Sequence, residues 1–189
     1  MLIAGAVFLG LLADEWRENR QQLELARGAL ERFRTEVAAN KLAVAGVQEY
    51  HEKFQTQVNA FLGAEGPKTL GAFFARVDFK GVRAPNFEHT ALDLALTTGS
   101  LGYIDPELAY EISRTYTAQS RLERLHDGFR EQVLSPTTFA TPDGTAFAIA
   151  IAAYLGEVRS DEPRLIEHYA TLSAALDKAL GGAPQQTGN

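Results

Sequence analysis

The chain has 189 residues, of which 46% are hydrophobic and none is cysteine. Lys and Arg number 18 against 24 Asp and Glu, giving a net charge of -6, a pI of about 5.3 and a mean hydropathy of -0.15. These figures argue against a disulfide scaffold, a cysteine zinc site, a thiol enzyme and a disordered chain. They also argue against a nucleic-acid partner, because counterion release needs a basic footprint.

The first segment differs from the rest. Leu2 to Ala13 (LIAGAVFLGLLA) carries no charge, and charge begins abruptly at Asp14-Glu15-Trp16-Arg17. A spanning helix needs roughly 20 apolar residues, so this run is short for one. Three readings compete. A signal-peptide core fits in length, but it lacks a basic leader and a small-x-small cleavage site. A buried core helix is awkward at an extreme terminus. The third reading is the C-terminal part of a transmembrane helix whose start is cut short, and it places Trp16 as the interfacial aromatic. We take the third as the expectation, with the lipid bilayer as a partner. Read literally, Arg17, Arg20, Arg27, Arg32 and Arg34 downstream would put the body in the cytoplasm. That count is void if residues are missing upstream.

One register then runs from Trp16 through Asn19, Leu23, Ala26, Leu30, Phe33, Val37, Asn40, Val44, Val47, His51, Phe54 and Val58 to Phe61. Its steps alternate three and four, the a/d seam of a coiled coil or long bundle helix. A helix from Leu2 to Leu62 would be about 90 Å long at about 1.5 Å per residue. It therefore either enters a membrane or projects as a stalk, and its seam offers a route to a homo-oligomer or a protein partner. Asn19, Asn40 and His51 are the polar members of the seam. Single polar residues there more often set register through a hydrogen bond than bind a ligand.

Gly63 to Pro67 ends this helix, and Pro67 to Val77, carrying Leu70, Phe73, Phe74 and Val77, reads as a short amphipathic one. Asp78 to Pro85 reads as a loop. Phe87 to Thr98 is helical, with Gly99 as its stop. Asp105-Pro106-Glu107 opens a helix with an N-cap acceptor, a first-turn proline and an acid for the dipole. It runs through Leu108, Ile112, Tyr116, Leu122, Leu125, Phe129 and Val133 to Ser135-Pro136. Thr141-Pro142-Asp143 repeats the signal before the apolar stretch Phe147 to Leu155. Asp161-Glu162-Pro163 opens a last helix through Leu165, Tyr169, Leu172 and Leu176, closed by Gly181-Gly182. The expected fold is all-α, a long N-terminal helix packed with an antiparallel helical bundle. The expected organisation is a transmembrane segment over 1–15, a helical domain over 16–182 and a disordered tail over 183–189.

Chemistry is sparse. No Walker loop, G-x-G-x-x-G, H-E-x-x-H or G-x-S-x-G occurs, so no catalytic residue and no cofactor is implied. Glu123 and His126 form an E-x-x-H, the spacing di-iron bundles use, but such sites need two of these motifs and two further carboxylates. The flanks of His51, His89, His126 and His168 look like polar helix surface. Tyr103, Tyr110, Tyr116 and Tyr169 read as core residues with a hydroxyl reaching an edge.

The run GLLADEWRENR, then LARGALERFRTEVAANKLAV with Leu30, Glu36 and Asn40, resembles a group of uncharacterised bacterial proteins. That group has one N-terminal transmembrane helix and a Leu-x-x-x-x-x-Glu-x-x-x-Asn pattern. The stretch ALDLALTTGSLGYIDPELAYEISRTYTAQSRLERL is similar to its second landmark, a helix-Gly-turn-helix. The resemblance implies a single-pass anchor in the bacterial inner membrane and an extracytoplasmic helical domain, and it implies no activity. Three functions follow as expectations: a membrane-anchored interaction or scaffold module, a ligand-sensing bundle coupled to the membrane helix, and a metal-dependent bundle enzyme.

Overall fold

The structure is a computed structural model that describes residues 2–133, 135–140 and 142–181. Side chains are described from Asp14 onward, except those of 137 and 139. The side chains of the expected transmembrane segment before Asp14, and the expected tail, lie outside the described residues.

The described chain is all-helical. Its elements are α1 (Leu2–Gly63), α2 (Leu70–Arg76), α3 (Thr90–Thr98), a 3-10 turn (Ser100–Tyr103), α4 (Pro106–Val133), α5 (Pro136–Ala140) and α6 (Gly144–Gly181). Among the described residues, no helix is long and apolar enough to cross a membrane.

Local chemistry accounts for the boundaries. The Lys68 ammonium donates to the carbonyls of Phe61 and Leu62, satisfying orphan acceptors at the end of α1. Thr69 caps α2, its hydroxyl accepting from the Ala72 N–H at 3.1 Å. Gly99 takes the left-handed conformation (φ 68°) that ends α3. The Asp105 carboxylate accepts from the N–H groups of Glu107 and Leu108, and that of Asp143 from the N–H of Thr145, so both acids act as the expected helix starts.

The last helix departs from expectation. Asp161-Glu162-Pro163 does not open a new helix, because α6 runs straight through Pro163. Proline inside a helix removes one backbone bond and costs about 3 kcal/mol. Against that stands an unbroken buried register: Ile151, Leu155, Val158, Glu162, Leu165 and Tyr169, in steps of four and three. Each fully buried large apolar side chain contributes roughly 1.5–3 kcal/mol, so keeping the register outweighs the lost bond.

The chain divides into two compact units, neither of them contiguous in sequence. Unit 1 takes 1–38, 88–113 and 171–189. In it, Ala29, Phe33 and Val37 of α1, Ala91 and Ala95 of α3, Ile112 of α4, and Leu172 and Leu176 of α6 are buried. The N-terminus of α3 has no side-chain cap from His89. Instead Glu36, buried on α1, accepts from the Ala91 N–H at 2.7 Å.

Unit 2 takes 39–87 and 114–170. In its core Phe73 packs edge-on against both Phe61 and Phe147. The backbone crosses closely where α6 begins: the Leu70 N–H donates to the Pro142 carbonyl and the Gly144 N–H to the Lys68 carbonyl. A Cβ on Gly144 would fall 2.6 Å from the Thr69 carbonyl carbon and 2.9 Å from the Leu70 nitrogen. Only glycine fits there.

Candidate functional site

Unit 2 buries two polar layers, each built from seam residues of α1, α4 and α6. The α4 seam runs Ile112, Thr115, Gln119, Leu122, His126, Phe129, again in steps of three and four. It carries two large polar side chains, Gln119 and His126, inward. Leu125, read from sequence as a core position, is only half-buried.

In the first layer the Gln119 side-chain oxygen accepts from Asn40 Nδ2 at 3.0 Å and from the Tyr169 hydroxyl at 2.6 Å. All three residues are buried. One acceptor thus ties three helices together.

The second layer holds the ionisable groups. His51 Nδ1 lies 2.7 Å from Glu162 Oε1, and both side chains are essentially inaccessible. His51 Nε2 faces the Val82 carbonyl at 3.4 Å. The His126 ring stacks on that of His51, with centroids 5.9 Å apart. His126 Nδ1 meets the Tyr154 hydroxyl at 2.6 Å, and Tyr154 in turn stacks on Phe129 at 3.9 Å. His126 Nε2 is buried without a hydrogen-bond partner among the described residues. Burial, then the charge on His51, pushes His126 down to about 4, so the ring is neutral near pH 7. Burial, reinforced by the Glu162 carboxylate, raises the Tyr154 phenol.

The layers repeat in opposite senses along different pairs of helices. From the first layer to the second, the residue numbers rise on α1 (40 to 51) and α4 (119 to 126) and fall on α6 (169 to 154). Within unit 2, α6 therefore runs against both α1 and α4.

The sequence-based candidates fall in different places. Asn40 and His51 enter the buried layers. Asn19 is exposed, as is Trp16, whose ring the Arg20 guanidinium covers at 5.6 Å. Glu123 is half-buried, whereas His126 is fully buried and engages Tyr154. Among the described residues, no group of three or more His, Asp or Glu is placed to hold a metal ion. His89 and His168 are half-buried, but His51 and His126 are core residues, unlike the polar surface their flanks suggest. Tyr116 and Tyr169 are buried, while Tyr103 and Tyr110 are exposed.

Sequence reasoning missed Glu162, Tyr154 and Gln119. The signal for Glu162 and Gln119 is the three-four register of their own helices, and Tyr154 lies beside Leu155 of the α6 register. On α6 that register is hidden by reading Pro163 as a break.

The chain matches no family model, no curated protein and no solved structure.

Proposed function

We propose that this protein is a membrane-anchored interaction module. The apolar run Leu2–Ala13 anchors it as a single pass in the bacterial inner membrane, and the helical body lies on the extracytoplasmic side. The seam of α1 docks a second copy of the chain. The anchor and its orientation rest on the charge-free run and on the family resemblance.

One observation carries the docking reading. The α1 seam is buried from Ala26 to Phe61, apart from half-buried Leu30 and Val47. Its earlier members, Trp16 (65% exposed), Asn19 and Leu23 (62% exposed), stand open on the same stripe. A heptad seam left uncovered by the described residues is the surface a parallel helix from a second copy would cover. Asn19 then sets the register of that pair, as a lone polar seam residue does.

Cross-linking of the full chain in bacterial membranes tests this. Leu23→Cys should give a homodimer with a short bis-maleimide, and Gln21→Cys, on the opposite face of the helix, should not. Equal cross-linking at both positions, none at Leu23, or recovery of the protein in the soluble fraction would overturn the reading.

A further inference from the structure

We propose that two copies of the chain pair in register along the open stretch of α1, with Glu15 of each copy forming an ion pair with Arg20 of the other. This rests on the docking reading above, and it names the residues by which the surface selects its own copy.

The steps of the seam fix its heptad. Trp16 to Asn19 is a step of three and Asn19 to Leu23 a step of four, so Trp16 and Leu23 take the a position and Asn19 the d position. Glu15, just before an a residue, stands at g, and Arg20, just after a d residue, stands at e. In a parallel pair in register, g of one helix lies beside the following e of the other, and the charges there set partner choice. Glu15 and Arg20 have that spacing and opposite charge. The pairing is two-fold symmetric, so the same bond forms on both sides of the seam.

Both side chains are exposed on α1. Among the described residues Asp14 pairs with Arg17 and Arg20 with Glu24, which leaves Glu15 without a partner. Glu24 engages Arg20 through Nε, at 3.3 Å, and the guanidinium carries further N–H donors for a second carboxylate. The guanidinium also lies over the Trp16 ring, 5.6 Å from its centroid. Arg20 therefore leans back one turn along α1 and onto the seam, to the level of residue 16. In a second copy held in register, that is the level of Glu15.

Other arrangements of the two helices are worse. In an antiparallel pair e faces e, and the e residues here, Arg20 and Arg27, are both arginines, so like charges would meet. A parallel pair slipped by one heptad would set Asn19 against Ala26, which the chain's own body already buries. In register, Asn19 meets Asn19, and each amide can donate to the other. Exposed ion pairs add little affinity, so Glu15 and Arg20 act on the choice of partner and register more than on the strength of the pair.

The test is charge reversal in full chains that carry Leu23→Cys, cross-linked in bacterial membranes with the short bis-maleimide. Yield is taken as a fraction of the variant recovered in the membrane. Glu15→Arg and Arg20→Glu should each lower the homodimer yield about fivefold, since both bonds become like-charged contacts. The double variant, Glu15→Arg with Arg20→Glu, keeps the net charge and should restore the parent yield. The two positions lie about 140° apart around one helix, so the recovery reads a bond between chains and not within one. Unchanged yield in both single variants, or a loss that the double variant does not restore, would overturn the proposal and leave the docking reading standing. A parent chain that does not cross-link at Leu23 would overturn both.

Discussion

His51 and His126 stack within the core of unit 2, their centroids 5.9 Å apart and their planes inclined by 27°. They sit in unequal company. His51 has a carboxylate at 2.7 Å, while His126 has a phenol on one nitrogen and, among the described residues, no partner on the other. A proton on the first ring opposes a proton on the second, and so does burial. Burial, with the His51 ring beside it, therefore keeps His126 neutral near pH 7.

Acid sensitivity follows from that asymmetry. His126 is held at about 4 when folded and titrates near 6.5 when unfolded. Between those values the unfolded chain binds a proton that the folded chain refuses. Its stabilising contribution is complete above pH 6.5 and declines as pH falls toward 4, by on the order of 3 kcal/mol in total. Urea unfolding at pH 7.0, 6.0 and 5.0 should show a falling midpoint. His126→Gln, which keeps a polar partner for Tyr154 but cannot titrate, should flatten the decline. An equally steep decline in that variant would place the sensitivity elsewhere.

The groups facing His126 sharpen that expectation. His51, Glu162 and Tyr154 share its layer, and Arg130 and Asp127 lie on its own helix, the arginine opposing protonation and the aspartate favouring it. Arg130 and Asp127 are paired at 2.6 Å and exposed, so their opposing effects are screened by salt. Added salt should leave the pH dependence largely unchanged, because the dominant cause is burial.

The His51–Glu162 pair should be more costly to halve than to remove. Glu162→Leu leaves His51 Nδ1 buried without its acceptor, and loss of about 3–5 kcal/mol is expected. The double substitution His51→Leu with Glu162→Leu should recover most of that, since buried pairs replaced by apolar residues are often neutral or better. A double-mutant cycle by denaturant unfolding measures the coupling. Additive losses would mean that the two groups act independently.

Two glycines should respond in opposite directions to the same change. Gly144→Ala drives a Cβ into the Thr69–Leu70 backbone and should cost about 1–3 kcal/mol. Gly46→Ala meets nothing within 4 Å and should gain about 0.5–1 kcal/mol from helix propensity. Thermal melts of the two variants against the parent give the comparison directly.

Pro163→Ala should stabilise the protein. The substitution restores an amide to the carbonyl of Arg159 within a helix that is already continuous. A gain of about 1–3 kcal/mol is expected. A loss would show that proline sets the geometry by which Glu162, its neighbour in sequence, reaches His51.

The local grammar of this fold is legible in the sequence, and its pairings are less so. Asp105-Pro106, Gly99 and the seam from Ala26 to Phe61 mark helix starts, a stop and a buried face, because each depends on residues within a turn or two. Asn40 and His51 stand out for the same reason, as polar residues on an apolar stripe. Their partners lie 79 and 111 residues away, at Gln119 and Glu162, and no local pattern joins them. Pro163 misleads because its local cost is plain in the sequence, while the burial that outweighs it belongs to the register on both sides.

The division of the chain bears on how it is made. Unit 1 draws on 1–38, 88–113 and 171–189, so its core needs Leu172 and Leu176, which are synthesised long after the α1 residues they cover. Ala29, Phe33 and Val37 must therefore leave the ribosome with part of their native cover not yet made, and apolar surface exposed in this way is aggregation-prone. The residues of unit 2 are complete by position 170. A chain stopped after that point and extended by a linker long enough to fill the ribosomal exit tunnel should already protect unit 2 from protease while α3 remains open to cleavage.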